Sequence, residues 1–393
     1  MLQRLRWPLL AAGLLLLAGA CTTPTDSTEP VVAQASAPTS SAPDLAALPM
    51  GWNRIEPGGA TGCSDGSDFA FYVRPGDPKR LLVFLQGGGA CWNLQTCDPL
   101  VQPTYTVNLD GLNPDGFDGI FNYQRSDNPF KDHTVVFAPY CSADVHIGRA
   151  DKTYTRSAAQ KALISKKLET PQDIPDSFDI SHRGFDNVAS MLDWTYANVT
   201  APESVFVTGS SAGSIPSPYY ALHVANAYPQ ANVTQLGDGA GGYRRINQAS
   251  NPNLSWNTVD VLQRESAFAG LTNDNFNYEQ LYIRAAAAND RVRFNAYDAA
   301  EDNVQKRFLQ LGGVQATSLQ KAITANQNDI RETVPGFRSY IAGGDSHTIL
   351  RRPEFYTYRV GSTTIRDWVA ALANGAAVDN VACNDCQVAA TTK

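Results

Sequence analysis

Short runs of apolar residues, each four or five residues long and bounded by turn-forming residues, recur along the chain and predict buried β-strands. They lie at residues 81–85 (LLVFL), 134–138 (TVVFA), 204–207 (SVFV) and 339–342 (SYIA). Between the second and third runs, residues 185–198 carry apolar side chains at helical spacing, at Val188, Met191, Leu192 and Tyr196. Because strands alternate with helices, the pattern predicts an α/β fold whose mostly parallel, doubly wound sheet has helices on both faces.

The first 20 residues have the parts of a secretory signal peptide: basic residues, an apolar run at 7–17 and small residues at 18–20. The apolar run is too short to span a bilayer. Residues 18–20 (AGA) fit a signal-peptidase site, while residues 17–21 (LAGAC) resemble a bacterial lipobox that ends in an acylated Cys21. Ala18 departs from the usual lipobox leucine. We favour the lipoprotein, because leaving Cys21 out of the seven cysteines gives an even set.

From residue 21 to about residue 49 the chain is rich in Thr, Ser, Pro and Ala and has few large apolar side chains. Such a composition cannot bury enough apolar surface to offset the entropy of ordering, so we expect a disordered tether. After a lipid anchor at Cys21, the tether would hold a folded domain clear of the membrane. Residues 50–393 contain no second low-complexity stretch, repeat or block of charge, and they predict a single domain.

The composition excludes several classes of protein. Hydrophobic residues make up 43% of the 393 residues and charged residues 18%, whereas soluble chains average roughly 25% charged residues. These values exclude a disordered or fibrous chain. The net charge of −7 leaves no basic footprint for phosphate backbones, so nucleic acid is not an expected partner.

The six cysteines after Cys21 form an even set in a chain predicted to be exported, so we expect disulfides. Closeness in sequence favours two pairs and leaves a third: Cys91 with Cys97, Cys383 with Cys386, and Cys63 with Cys141. A zinc site in the C-x-x-C at residues 383–386 is the alternative. A lone C-x-x-C without a second pair of ligands supports it only weakly, so no metal is expected.

The predicted strand at 204–207 leads into a candidate nucleophile. Residues 209–213 (GSSAG) match G-x-S-x-G directly after a strand, which is the context of a nucleophile elbow and places Ser211 at a sharp strand-to-helix turn. The flanking small residues let the backbone bend tightly, and Ala212 leaves its N–H open to a developing oxyanion. The alternative is an ordinary glycine-rich turn with solvated serines.

Three glycines, residues 87–89, follow the predicted strand at 81–85. This run resembles the oxyanion loop of α/β hydrolases, in which main-chain N–H groups approach the substrate oxygen closely. One such donor lowers the barrier by about 3 kcal/mol. A phosphate-binding glycine loop is the alternative, but neither G-K-[ST] nor G-x-G-x-x-G follows, so no nucleotide cofactor is expected.

A serine nucleophile needs a base, and the chain has five histidines: His133, His146, His182, His223 and His347. In α/β hydrolases the order along the chain is Ser, acid, His, which leaves His223 and His347. His223 follows the elbow within a predicted helix, where we expect it to pack. His347 follows the apolar run at 339–342, on a loop that can reach the carboxyl edge of the sheet, so we assign it as the general base.

The acid should lie on a strand-end loop between the nucleophile and the base, where it can fix the imidazole tautomer and stabilise the imidazolium. The candidates are Asp238, Asp298 and Asp302. Residues 292–305 predict a strand that ends in an acidic loop, which favours Asp302, with Asp298 next. Asp238 follows too soon after the elbow strand and Asp345 is too close to His347, so we expect local caps or loop bonds from both.

Four motifs, taken together and in this order, resemble the pectin acetylesterase family, which includes the Notum carboxylesterases. They are residues 86–93 (QGGGACWN), residues 209–214 (GSSAGS), Asp302-x-x-Gln305 and residues 346–348 (SHT). The resemblance covers most of residues 51–386 and implies an α/β-hydrolase fold. It also implies the following roles: Ser211 as nucleophile, Asp302 as acid, His347 as base, and Gly88, Gly89 and Ala212 as oxyanion donors. Departures at Gln86, Gly89–Ala90 and Glu301 concern the substrate class rather than the triad.

The segment 139–148 (PYCSADVHIG) also resembles a family loop near the site. A polar loop after a strand either lines the pocket or is structural. His146 is therefore a candidate for contact with the substrate, while Cys141 in a disulfide favours a structural role for part of the loop.

These residues predict an exported serine carboxylic-ester hydrolase that acts through an acyl-enzyme, with residues 50–393 as its catalytic domain. The chemistry requires no metal or organic cofactor. The resemblance implies O-acetyl or other short acyl groups on polysaccharide, or small esters, as substrates. One alternative is a lipase or polyester depolymerase with a long apolar trough. The other is a non-catalytic glycan-binding protein of the same fold. The expected location is the outer membrane for the lipoprotein, or otherwise the periplasm or medium.

Overall fold

The computed structural model describes residues 42–101, 103–168, 173–243, 252–314 and 318–389. The strands within these ranges are β1 (Asn53–Ile55), β2 (Phe71–Arg74), β3 (Asp77–Leu85), β4 (His133–Ala138), β5 (Ala150–Thr155), β6 (Ser177–His182), β7 (Ser204–Ser210), β8 (Asn232–Asp238), β9 (Arg293–Ala299), β10 (Arg338–Ala342), β11 (Arg359–Val360), β12 (Thr363–Thr364) and β13 (Val381–Ala382).

Nine of these strands form the central sheet, in the order β1-β2-β4-β3-β7-β8-β9-β10-β13. All pairs from β4 to β13 are parallel, whereas β2 is antiparallel to both β1 and β4 at one edge. The carboxyl ends of β3, β7, β8, β9 and β10 therefore meet at one edge of the sheet. Loops that leave this edge are where open parallel sheets bind ligands.

The α-helices of the described ranges are α1 (Leu94–Cys97), α2 (Ala158–Leu168), α3 (Gly184–Asn198), α4 (Ser217–Ala227), α5 (Pro252–Trp256), α6 (Thr258–Leu262), α7 (Tyr278–Ala288), α8 (Asn303–Leu311), α9 (Leu319–Thr333) and α10 (Ile365–Ala373). No helix in these ranges is long and apolar enough to cross a membrane.

The strand β3 shows why the central strands read as continuous apolar runs. Successive side chains of a strand point to opposite faces of the sheet. Leu81, Val83 and Leu85 lie in one buried cluster, which also contains residues of α3, α4 and α7. Leu82 and Phe84 lie in a second cluster, which contains residues of α10. Both faces of the sheet are therefore covered, as the apolar pattern predicts.

The predicted fold class is confirmed. The four apolar runs lie within β3, β4, β7 and β10, and the predicted helix is α3. The hairpin of β5 and β6 was not predicted, because exposure alternates along β5 and the strand contains no apolar run.

Part of the stretch predicted as a tether packs on the folded domain. Leu45 N donates to the Asn198 side chain at 2.8 Å, and Trp194 Nε1 donates to the carbonyl oxygen of Pro43 at 3.2 Å. Ala42, Leu45 and Leu48 contact the larger apolar cluster. The predicted boundary at residue 49 is thus corrected, because these apolar side chains find a surface on α3. The predicted signal peptide at 1–20, Cys21 and the tether up to residue 41 lie outside the described residues.

All three predicted cysteine pairs are disulfide-bonded: Cys63–Cys141, Cys91–Cys97 and Cys383–Cys386. Two of these bonds lie close to the loops at the carboxyl edge of the sheet. Cys91 directly follows the glycine loop, and the carbonyl oxygen of Cys386 accepts a hydrogen bond from Gly344 N at 3.0 Å.

Candidate active site

The elbow predicted at Ser211 is present. β7 ends at Ser210, a 3-10 turn follows at Ser211–Gly213, and Ser211 has a φ of 55°. A non-glycine residue in this left-handed region is strained, and such strain persists only where the surroundings enforce it. A Cβ at Gly209 would lie 2.3 Å from the Gly213 carbonyl oxygen, and one at Gly213 would lie 2.1 Å from the Leu85 carbonyl oxygen. Both glycines are therefore needed for the turn to close.

The glycine loop after β3 packs directly on the elbow. A Cβ at Gly87 would lie 2.4 Å from the Ser210 carbonyl oxygen, and Gly89 has a φ of 81°. Within the described chain, the N–H groups of Gly88, Gly89 and Ala212 donate no hydrogen bond. Gly89 and Ala212 line the same pocket as Ser211, whereas Gly88 lies against Tyr140 and Thr106. The structure thus brings two of the three predicted donors to the pocket wall.

The predicted base and acid are in contact. His347 Nδ1 lies 2.7 Å from Asp302 Oδ2, and the Asp302 side chain is fully buried. Asp302 is also the N-cap of α8, since its Oδ1 accepts from Val304 N at 2.9 Å and from Gln305 N at 3.0 Å. The helix N-terminus stabilises the carboxylate. A carboxylate that accepts from Nδ1–H leaves Nε2 as the proton acceptor.

The second ring nitrogen of His347, Nε2, is buried. It has no hydrogen-bond partner among the described residues. Ser211 is therefore not hydrogen-bonded to the base in this state. Such bonds are often long in unliganded enzymes and shorten when substrate binds.

The other acidic candidates make different bonds. Asp298 accepts from Gly241 N at 2.7 Å and from the side chains of Gln305 and Gln327. Asp345 accepts from the Asn303 side chain at 2.7 Å. Neither contacts the imidazole of His347, so the geometry selects Asp302.

Asp238, the remaining candidate, lies fully buried at the end of β8. Its carboxylate accepts from Ser210 Oγ at 2.7 Å and from the main-chain N–H groups of Ile349 and Leu350 at 3.0 and 3.1 Å. The elbow and the loop that carries His347 therefore meet on one carboxylate.

No histidine, His347 included, is among the described residues that line the pocket beside Ser211. His223, on α4, lies 3.5 Å from Glu265. His146 is buried, and its Nε2 lies 2.7 Å from the Gln86 carbonyl oxygen, so it supports the glycine loop. From this loop, Val145 and Ile147 line the pocket, whereas His146 does not.

A mostly apolar cavity of about 130 Å³ lies beside Ser211. Its wall contains large apolar side chains from several separate elements, which the sequence pattern did not bring together: Trp92, Val145, Ile147, Ile215, Tyr243, Trp256, Phe276, Tyr278 and Phe308. The wall favours an apolar group on the ligand. Among the described residues, no group of three or more His, Cys, Asp or Glu side chains is arranged to hold a metal ion.

A model of the pectinacetylesterase family matches residues 55–275, which is more than half of the chain. The chain belongs to the pectinacetylesterase family. The matched part of the chain includes the glycine loop and Ser211, whereas Asp302 and His347 lie beyond it. The choice of acid and base therefore depends on the geometry of this chain.

The chain is also similar to palmitoleoyl-protein carboxylesterases. It is 33% identical to NOTUM of Homo sapiens over 27% of this chain and 22% of that protein. It is 29% identical to notum1a of Danio rerio over 33% of this chain and 25% of that protein. A third relative, the inactive palmitoleoyl-protein carboxylesterase notum1b of Danio rerio, is 34% identical over 24% of this chain and 70% of that protein. The chain thus aligns with about a quarter of the first two relatives' length, and what it acts on depends on its own site.

Burial shifts the pKa of several groups around the sheet. It raises the pKa of three carboxyl groups, to about 7 at Asp144 and Asp298 and to about 6 at Asp238. It lowers the pKa of three imidazoles to about 4, at His133, His146 and His182. The carboxyl groups and the imidazoles therefore change the free energy of unfolding in opposite directions as the pH changes.

We expect the free energy of unfolding to begin to fall above about pH 6.5 as the pH rises. Above this pH, the folded state still binds protons on Asp144 and Asp298 that the unfolded state has released, so stability falls as the pH rises through their pKa of about 7. Below it, the three carboxyl groups with raised pKa favour the folded state increasingly as the pH falls, while the three imidazoles with lowered pKa favour the unfolded state, so the two effects nearly cancel between about pH 4 and 6. Thermal unfolding across this range measures the effect.

The variant Asp298→Asn tests this balance. It removes one of the raised carboxyl groups, so the fall in stability near about pH 7 should be shallower than in wild type, and between about pH 4 and 6 stability should now rise with pH because three imidazoles face two carboxyl groups. A melting temperature that rises steadily from about pH 6 to 8 would contradict this account.

Proposed function

We propose that this protein is an exported serine carboxylic-ester hydrolase that acts through an acyl-enzyme. The observation that carries the proposal is the 2.7 Å contact between His347 Nδ1 and the buried Asp302 carboxylate, at the sheet edge where Ser211 is held in a strained elbow. Family membership supports the ester chemistry. The three disulfides support export, because such bonds persist in oxidising compartments.

In the proposed reaction, Ser211 Oγ attacks the ester carbonyl carbon while His347 Nε2 takes the hydroxyl proton. The negative charge that develops on the carbonyl oxygen is stabilised by the unengaged N–H groups of Gly89 and Ala212. The C–O bond to the alcohol then breaks, and His347 returns its proton to the leaving oxygen. Water, deprotonated by the same nitrogen, hydrolyses the acyl-enzyme and releases the acid.

Intact-protein mass after treatment with a fluorophosphonate tests the proposal. We expect one adduct on the wild type, formed as the Ser211 oxygen bonds to phosphorus and fluoride leaves. The Ser211→Ala variant and heat-unfolded wild type should give none, because labelling needs both the hydroxyl and the assembled base. Folded wild type without an adduct would overturn the proposal in favour of the non-catalytic glycan-binding alternative.

The acyl group is proposed to occupy the apolar cavity beside Ser211. Its volume of about 130 Å³ is close to the roughly 150 Å³ of an apolar cavity that holds one benzene molecule. An acetyl group would leave most of the aromatic wall without contacts. The family name supports acylated polysaccharide as the substrate, whereas the cavity supports an acyl group longer than acetyl.

Hydrolysis of 4-nitrophenyl esters is therefore expected to be fastest with acyl chains of about four to eight carbons. The measurement is kcat/KM along a series from acetate to palmitate. The variant Phe308→Ala should shift the optimum toward longer chains, because the Phe308 ring lines the cavity beside Trp92. Preference for acetate over butyrate and hexanoate in the wild type would contradict this and would favour O-acetyl groups as the substrate.

We also propose that residues 1–20 are removed as a signal peptide and that Cys21 becomes acylated, which would place the folded domain on a membrane tether. The lipobox-like sequence at residues 17–21 supports this. Mass spectrometry of the mature N-terminus tests it. A diacylated or triacylated Cys21 supports the lipoprotein, and an unmodified terminus at residue 21 supports the soluble exported form.

A further inference from the structure

We propose that Asp238 is a positioning residue that holds the nucleophile and the base in register, an inference that rests on the proposed function. Its carboxylate accepts from Ser210 Oγ at 2.7 Å, one residue before the nucleophile. It also accepts from Ile349 N at 3.0 Å and Leu350 N at 3.1 Å, two and three residues after the base. One fully buried side chain therefore ties both loops to the end of β8.

Both loops need such support because both are strained. Ser211 has a φ of 55° and Thr348, which directly follows the base, has a φ of 61°. Strained residues of this kind persist only when the surroundings fix them. In each loop the strained residue is the immediate neighbour of a residue that donates to Asp238. The carboxylate thus fixes the backbone directly beside the two residues with strained φ angles.

Hydrogen bonds, rather than an ion pair, hold the carboxylate in place. Among the described residues, no Lys or Arg lies within ion-pair distance of Asp238, although the half-buried Arg351 contributes favourable charge from the neighbouring loop. With its amide oxygen in the place of Oδ2, an asparagine could still accept from Ser210 Oγ, Leu350 N and Ile349 N, because these three donors lie 2.7, 3.1 and 3.2 Å from Oδ2. Asp238→Asn therefore preserves the link, while Asp238→Leu removes it.

A matched control lies on the same strand. Gln235 is also fully buried on β8 and makes several hydrogen bonds, to Ser217 Oγ, Asn295 and the Tyr282 hydroxyl. None of these partners belongs to the elbow or to the loop that carries His347. Gln235→Leu should therefore cost stability without loosening the site.

Amide hydrogen exchange, followed by mass spectrometry on peptides that cover residues 209–214 and 345–351, tests the link directly. In folded Asp238→Leu, both peptides should lose protection together. In Asp238→Asn and Gln235→Leu, both should exchange as in the wild type. Unchanged exchange in Asp238→Leu, or loss in only one peptide, would overturn the proposal. This outcome does not depend on whether the protein hydrolyses esters.

The kinetic consequence is a change in kcat rather than in KM. With 4-nitrophenyl butyrate, Asp238→Leu should lose about 10²-fold in kcat with KM nearly unchanged, because a displacement of about 1 Å between reacting groups costs that much. Asp238→Asn should recover most of the loss, and Gln235→Leu should keep wild-type kcat per folded molecule. Equal losses in Asp238→Leu and Gln235→Leu would mean that Asp238 is merely structural. Absence of the fluorophosphonate adduct on the wild type would instead refute the proposed function.

Discussion

Replacing Ser211 by Ala is expected to lower kcat for 4-nitrophenyl butyrate by about 10⁶-fold. The residual activity would come from substrate binding and the oxyanion donors alone. The loss is large because Ser211 lines the pocket, whereas the neighbouring Ser210 hydroxyl is buried and bonded to Asp238. The Ser211 hydroxyl makes no hydrogen bond to the pocket wall or to the His347–Asp302 pair among the described residues. Its removal should therefore leave the pair, the pocket and the fold intact. Steady-state kinetics on purified variant and wild type measure the effect.

Ser217→Ala is the control for this variant. Ser217 is a buried serine of α4 that does not line the pocket, and its Oγ bonds only within the scaffold, to Ser214 and Gln235. It should keep wild-type kcat in the folded fraction. If Ser211→Ala retained more than about a hundredth of the wild-type rate, the nucleophile would have to be sought elsewhere.

Asp302→Asn is expected to lower kcat by about 10⁴-fold, the second largest effect. The asparagine cannot stabilise the imidazolium, and its amide favours the tautomer in which Nε2 carries the proton and cannot accept one from Ser211. The fold should survive, since the amide oxygen can still cap α8 through Val304 N and Gln305 N. Kinetics near neutral pH and circular dichroism measure the two properties.

Asp298→Asn is the matched variant. Asp298 is equally buried and shares Gln305 with Asp302, but it does not touch His347. Its loss in kcat should stay below about tenfold. Mild and equal losses from the two variants would refute the assignment of Asp302 and leave the base without a known acid.

The elements that carry the chemistry could be predicted because their patterns are local. The strand runs and the G-x-S-x-G turn need only neighbouring residues to be read, and the elbow at Ser211 has the predicted form. The choice between Asp298 and Asp302 was harder. Both lie in one segment, and the structure separates them because β9 ends at Ala299, so Asp302 falls at the start of α8 and faces His347.

The pocket wall could not be read from the sequence. It combines side chains such as Trp92, Trp256 and Phe308, which lie far apart in the chain and meet only after the sheet and helices have packed. His146 shows the converse case. Its place in a polar loop that resembles a family loop near the site predicted substrate contact, but its imidazole contacts the Gln86 carbonyl oxygen, and its neighbours Val145 and Ile147 line the pocket.

Two disulfides lie next to the glycine loop and the loop that carries His347, and they affect how the protein has to be expressed. Cys91 continues from the glycine loop, and the segment closed by Cys383–Cys386 holds Gly344, three residues before His347. In an expression host with a reducing cytoplasm, both loops would lose a covalent brace, and the Cys63–Cys141 bond would be lost as well. Recombinant material from such a host would show poor turnover. Routing the chain to an oxidising compartment is therefore the condition for a meaningful specific activity.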